Sequence, residues 1–246
     1  MALATFRIWR GNVNQGDFRE YRTEVSPGMV VLDAVHNIQA QQANDLAVRW
    51  NCKAGKCGSC SAEINGNPRL MCMTRLNSLP LEQPVTLQPM RTFPVIRDLV
   101  TDVSWNFRVK KTIRKFQPRA PQDGDGSWRM AQSDVDRVQE FRRCIECYLC
   151  QDVCHVLREH GLHDRFIGPR FLTYTAALEM HPLDVGNRSH DLKEEHGIGY
   201  CNITKCCTKV CPEGIGITDN AIIPLKERVV DEYFDPVRKL FRVFRK

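Results

Sequence analysis

No stretch of eighteen apolar residues occurs in this 246-residue chain, so none of its helices is expected to cross a bilayer. The first residues, Met1 to Arg7, are broken by Thr5 and Arg7 and lack the apolar core of a secretory signal. Basic residues never gather into a long run and the formal net charge is only +6, so nucleic acid is not an expected partner. Tryptophan is sparse: Trp9, Trp50, Trp105 and Trp128 all lie in the first half or just past it. Hydrophobic residues at 42% and charged residues at 26% exclude disorder and collagen. What the chain has in excess is cysteine, twelve in all. Without an export signal, the chain is expected among reduced thiols, where clustered cysteines serve as metal ligands rather than as a disulfide framework.

The cysteines form three groups of four. The first reads C-x4-C-x2-C, Cys52, Cys57 and Cys60, with Cys72 twelve positions later. This is plant-type [2Fe-2S] spacing, in which a short loop offers three thiolates and small residues let backbone amides approach sulfur. Gly55, Gly58 and Ser59 are those residues, and the fourth ligand is expected from a strand, Leu70-Met71-Cys72-Met73. Lys53 and Lys56 within the loop either raise the centre's potential or sit as solvated surface lysines. A zinc knuckle is the bland alternative, but it normally shows two paired knuckles.

The second group, Cys144, Cys147, Cys150 and Cys154, has the bacterial ferredoxin spacing, whose last cysteine serves the other cluster of a pair. The same steps downstream fall on Cys201, Thr204, Cys207 and Cys211, followed by Pro212. The motif is thus repeated with one cysteine missing. One site then takes Cys144, Cys147, Cys150 and Cys211 and is [4Fe-4S]. The other takes Cys154, Cys201 and Cys207, lacks a thiolate at Thr204, and is expected to be [3Fe-4S]. Cys206 is surplus. It is read as a buried thiol that packs as a small hydrophobe, with a labile fourth ligand as the alternative. No histidine is needed for iron.

The fold class expected is α+β. Strand composition at Thr5 to Trp9 and Arg19 to Val25, helical spacing over Val30 to Ala43, a hairpin about Asn65-Gly66 and a strand at Val85 to Gln88 describe an N-terminal β-grasp ferredoxin domain, residues 1–105. Helical patterns at Asp134 to Phe141, Arg170 to Met180 and Ile222 to Tyr233 describe an all-α bacterial-type ferredoxin domain, residues 106–246. Each oxidised cluster with its thiolates carries roughly −2, so three would offset the formal charge, as suits a subunit packed on partners.

These motifs, together with Pro94-Val95-Ile96-Arg97-Asp98-Leu99-Val100 and Gly168-Pro169, resemble the iron-sulfur subunit of succinate dehydrogenase and fumarate reductase, respiratory complex II. The resemblance spans nearly the whole chain. It implies electron transfer from the FAD of a flavoprotein subunit, which also holds the dicarboxylate site, to quinone at a membrane anchor that usually carries haem b. No catalytic residue is then expected on this chain, and its place is peripheral, on the cytoplasmic face of the cell membrane. Quinone lies beside the three-iron cluster in this family, so His155 and Asn202, which follow Cys154 and Cys201, are expected near it. Here the sequence departs from the family, which commonly has proline and then tryptophan after the first of these ligands and often histidine after the second. Succinate oxidation and quinol-driven fumarate reduction both fit. A soluble ferredoxin shuttle, a zinc or disulfide protein, and the iron-sulfur subunit of another flavin-dependent oxidoreductase are the rivals. The C-terminal Arg238, Lys239, Arg242, Arg245 and Lys246, interleaved with Leu240, Phe241 and Phe244, are read either as a solvated terminal helix or as a contact with the anchor and anionic lipid headgroups.

Overall fold

A computed structural model describes residues 2–121 and 124–236. The basic tail from Arg238 to Lys246 lies outside the described residues. The chain forms two compact units, residues 1–105 with 145–153 and 210–212, and residues 106–144 with 154–209 and 213–246.

In the first unit, β1 (Ala2–Gly11) pairs antiparallel with β2 (Gly16–Val25) and parallel with β5 (Val85–Gln88). The strands β3 (Ser61–Ile64) and β4 (Asn67–Leu70) form the hairpin closed by Asn65-Gly66, giving the order β2-β1-β5-β3-β4. Alternation along β1 sends Ala4, Phe6 and Ile8 to one face, where α1 (Val31–Gln41) covers them with Leu32, Val35 and Ile38. Phe6, Ile8, Leu32, Val35 and Ile38 have no exposed surface, so truncating any of them leaves a cavity costing about 2–5 kcal/mol. The start of α1 is held from two sides. Asp33 Oδ2 accepts from Val30 N–H at 3.0 Å, and the free amides of Val31 and Leu32 donate to Thr74 O and Met71 O. The two expected strands and the helix are present, with β1 and β2 each ten residues long.

The second unit is helical. It contains α3 (Gln132–Gln139), α5 (His155–Arg158), α6 (Gly168–Glu179), α7 (Ser189–Glu194) and α9 (Ile223–Tyr233), the last entered through a π turn at Ile217–Ile222. The helix α2 (Ser104–Thr112) precedes them, α8 (Cys206–Val210) follows a cysteine loop, and α4 (Leu149–Asp152), which belongs to the first unit, follows another. Among the described residues no helix is long and apolar enough to cross a membrane.

Arg188 braces this unit. It has no exposed surface, and its guanidinium donates to Asp184 Oδ2 (2.9 Å), Arg114 O (2.8 Å), Lys115 O (2.7 Å) and Gly186 O (3.3 Å), with Glu179 Oε1 at 3.4 Å.

His196 is 2% exposed, and neither ring nitrogen has a hydrogen-bond partner. Burial holds its pKa below the ordinary 6.5, against the pull of Asp191 and Glu195 and with the push of Arg114. The folded chain therefore binds fewer protons here than the unfolded one. Stability from this group is full above about pH 6.5 and falls as pH drops below it. The loss in Tm between about pH 7.5 and pH 5.5 is expected to shrink in His196→Leu. An unchanged loss would mean that His196 is not the group titrating.

Candidate metal centres

The first cysteine group lies wholly within the first unit. Cys52 Sγ accepts from the amides of Ala54 and Lys56, both at 3.3 Å, and Cys57 Sγ from Ser59 N–H at 3.5 Å. Cys60 Sγ accepts from Cys72 N–H at 3.4 Å. Burial raises Cys57, but the Ser59 hydroxyl and amide and the neighbouring Cys52 outweigh it and bring the thiol down to about 6. Cys60 goes the other way, pushed up to about 12 by burial and by Cys72 and Cys57 beside it. Four sulfurs within mutual influence, three of them receiving backbone N–H groups, suit a group that takes negative charge off thiolates and accepts amide hydrogen bonds at sulfur.

The loop closes tightly because of its glycines. Gly58 has φ +68, and a Cβ there would stand 2.7 Å from Cys147 Cα. Gly55, φ +66, lies under the Met73 thioether at 2.8 Å from a would-be Cβ. Ser61 Oγ sits 2.8 Å from Cys147 O and 2.9 Å from Gly58 O. Cys72 departs from expectation. It comes from a turn after β4, not from the strand, because Met73 and Thr74 N–H both bond back to Leu70 O once the ladder ends at Met71 N–Cys60 O. Lys53 sits in the left-handed region at φ 54 with its ammonium 5.0 Å from the Trp50 ring, and Trp50 packs edge-on against His36.

The second and third groups share one backbone design. Each is preceded by a 3-10 turn, Glu140–Arg143 and Ile198–Tyr200, and each first cysteine is extended. Two positions on, Glu146 and Ile203 have φ 53 and 62. Four positions on, Tyr148 and Lys205 both have φ 61. The helices α4 and α8 then begin at the same register, Leu149 and Cys206. Ile203 is β-branched, for which the left-handed region is strained. The repeat read in the sequence is thus a repeat in conformation, and Thr204 occupies the seat of Cys147.

Cys147, Cys150 and Cys211 belong to the first unit and Cys144 to the second. Cys144 follows the 3-10 turn whose Glu140 carboxylate accepts from Gly216 N–H and, at 2.6 Å, from Asn220 Nδ2. Beside Cys150, Asp152 is fully buried near Glu63, which itself has no exposed surface. Burial first and the Glu63 charge second raise Asp152 to about 7, against the Thr92 N–H donating to its Oδ1 at 3.1 Å, while the Thr92 hydroxyl donates to the Asp152 main-chain carbonyl. Nothing in the sequence pattern announces this carboxyl pair.

Cys154, Cys201 and Cys207 line one pocket in the second unit, with His155, Asn202, Ile203, Thr204 and Cys206. Burial pushes Cys154 up to about 12 and Cys207 to about 11, each also raised by neighbouring cysteines. Thr218 lies against Cys207, its Oγ1 at 3.4 Å from Sγ. Since Thr218 Oγ1 accepts from the Thr208 hydroxyl at 3.0 Å, its own proton is available to the sulfur. Sequence reasoning missed Thr218, which carries no spacing signal. The buried-thiol reading of Cys206 is corrected. It is partly exposed on the pocket wall, because α8 begins there and turns Cys207 rather than Cys206 into the core. Buried thiols packed around one pocket with no cation among its lining side chains except Lys205, itself 2.7 Å from Asp219, fit an iron-sulfur group that stabilises thiolates.

Residues 5–108 match the 2Fe-2S iron-sulfur cluster binding domain family, and residues 140–215 the 4Fe-4S dicluster domain family. The fumarate reductase iron-sulfur subunit of Mycobacterium tuberculosis is 33% identical over 202 residues, 80% of each chain. The succinate dehydrogenase iron-sulfur subunit of Bacillus subtilis is 30% identical over 213 residues, 81% of each. A chain of the Mycobacterium smegmatis Sdh1 complex in the apo form is 58% identical, with a TM-score of 0.92 over 96% of this chain and 98% of that one. The mixed sheet followed by helical cysteine motifs is the architecture expected from the sequence, and the chain belongs to the family of iron-sulfur subunits of succinate dehydrogenase and fumarate reductase.

Proposed function

We propose that this chain is the electron-transfer subunit of a succinate:quinone oxidoreductase, working between the FAD of a flavoprotein subunit and quinone at a membrane anchor, which usually bears haem b. The observation that carries the reading is Thr204 in the seat of Cys147, beside the pocket of Cys154, Cys201 and Cys207. When bound, [2Fe-2S], [4Fe-4S] and [3Fe-4S] clusters supply one-electron centres that link a two-electron donor to a two-electron acceptor.

The chain's own residues hold and tune them. Cys52, Cys57, Cys60 and Cys72 would hold the first. The amides of Ala54, Lys56, Ser59 and Cys72 would spread its negative charge. Cys144, Cys147, Cys150 and Cys211 would hold the second, by the spacing of the repeat. Cys154, Cys201 and Cys207 would hold the third, with the Thr218 hydroxyl donating to Cys207. The same reading sets the domain limits at 1–105 and 106–246, puts the dicarboxylate site on the flavoprotein, and seats the subunit peripherally on the cytoplasmic face. Succinate oxidation is favoured over the reverse reaction by the 58% identity to a chain of an Sdh1 complex.

His155 and Asn202 would stand at the acceptor side, since both line the pocket next to Cys154 and Cys201. Quinone reduction consumes two protons. An imidazole can deliver one near neutral pH, while Asn202 can only hydrogen-bond. In the assembled complex, His155→Ala is expected to slow succinate-to-quinone electron flow by roughly 10²–10⁴-fold if His155 is the donor, with succinate-to-dye activity kept. Loss of both activities would mean failed assembly, and equal rates would move proton delivery to the anchor.

A further inference from the structure

Eleven cysteines complete the three proposed ligand sets, and the twelfth, Cys206, is not in the core. It opens α8 immediately before Cys207 and lines the same pocket as Cys154, Cys201 and Cys207. Its side chain is partly exposed, unlike those of Cys154 and Cys207. Its Sγ lies 3.3 Å from Thr204 Oγ1, the group that stands where the repeat has lost its thiol. The pocket wall therefore carries four thiols, three with the spacing of ligands and one held by hydrogen bond at the corner that lacks one. Thr204 offers only a neutral hydroxyl, a poor iron ligand beside a thiolate.

We propose that Cys206 is a switchable fourth thiol, which binds a fourth iron at this site when the site is reduced and ferrous iron is present, and releases it on oxidation. This rests on the three-iron reading above. The oxidised [3Fe-4S] core of charge 1+ first takes one electron from an added reductant. The neutral core then takes Fe2+ to give a [4Fe-4S] core of charge 2+. Cys206 forms the new Fe–S bond, and its thiol proton passes to solvent. In reverse, an oxidant removes one electron, Fe2+ leaves, the core returns to 1+, and Cys206 regains a proton. The hydrogen bond to Thr204 parks the thiol beside the vacant corner in the three-iron state. A short side-chain rotation is the movement required.

The test uses the purified complex. It is reduced anaerobically with dithionite and ferrous iron, desalted, and poised mildly oxidised for paramagnetic resonance. The parent is expected to lose most of its three-iron signal and to regain it after ferricyanide, while Cys206→Ala keeps the signal throughout. The [2Fe-2S] signal on full reduction checks assembly in both. A parent signal that survives iron and reductant overturns the proposal, as does equal loss in Cys206→Ala. If Cys206→Ala lacks the three-iron signal from the outset while Cys207→Ser retains it, the ligand assignment itself has failed, and the proposal with it. A second measurement needs no variant: in the parent complex, iodoacetamide should alkylate Cys206 in the three-iron state and not after iron loading. Equal alkylation in both states overturns the proposal however the variant behaves.

Discussion

Thr204→Cys is expected to raise the iron content of the purified complex from about nine to about ten per chain, to abolish the three-iron signal, and to slow quinone reduction while sparing dye reduction. The reason is positional. Cys201 follows Cys144 by 57 residues (201 − 144), and the same offset relates Ile203 to Glu146, Lys205 to Tyr148, and the start of α8 to that of α4. Both loops take the left-handed region at matching positions, so a thiol at Thr204 occupies the seat that Cys147 occupies in its own loop. A completed set of four thiolates retains its fourth iron without added iron or reductant. Adding an anionic ligand favours the oxidised state of the centre. A drop of roughly 60 mV already shifts a one-electron equilibrium tenfold. Thr204→Ser, which adds no thiolate, should leave iron and signal unchanged. If Thr204→Cys kept the three-iron signal, the register of the repeat would not govern ligation.

Arg188→Ala is expected to destabilise the subunit by about 3–5 kcal/mol, a fall in Tm of roughly 6–20 °C for a chain of this size. The guanidinium lies fully buried, with one terminal nitrogen shared between Glu179 and the Gly186 carbonyl, the other between Asp184 and the Lys115 carbonyl, and Nε donating to Arg114 O. Its removal leaves the Asp184 carboxylate, itself without exposed surface, uncompensated. Arg188→Lys should recover only part of the loss, since an ammonium cannot reach carboxylates and carbonyls in one plane as the guanidinium does. A shift under about 2 °C in Arg188→Ala would mean that solvent or a shifted neighbour replaces these bonds.

The arginine brace was not legible in the sequence. Nothing separates Arg188 from the chain's exposed arginines except the fold that surrounds it. The sheet and α1 were legible, because the strand composition of Thr5 to Trp9 and the spacing of Val31, Ala34, Val35 and Ile38 are imposed by burial on one face. The end of β4 was not. Met71 and Cys72 continue an apolar run, and only the Leu70 carbonyl, accepting from Met73 and Thr74, closes the chain into a turn. The cysteine loops were legible because metal ligation fixes spacing. The hydroxyls that touch them, Ser59, Ser61 and Thr218, were less so, since a hydrogen bond to sulfur or to a loop carbonyl requires proximity without any spacing rule. Cys206 was misplaced for a related reason. Free cysteine is usually buried, but the register at which α8 starts gives the core position to Cys207.

Iron and acid-labile sulfide, counted with paramagnetic resonance on the complex purified anaerobically without added iron or reductant, decide whether Cys154, Cys201 and Cys207 hold three irons. About nine irons per chain, a three-iron signal in the oxidised protein and a [2Fe-2S] signal on reduction are expected. About ten irons with no three-iron signal, or zinc in place of iron, would contradict that expectation.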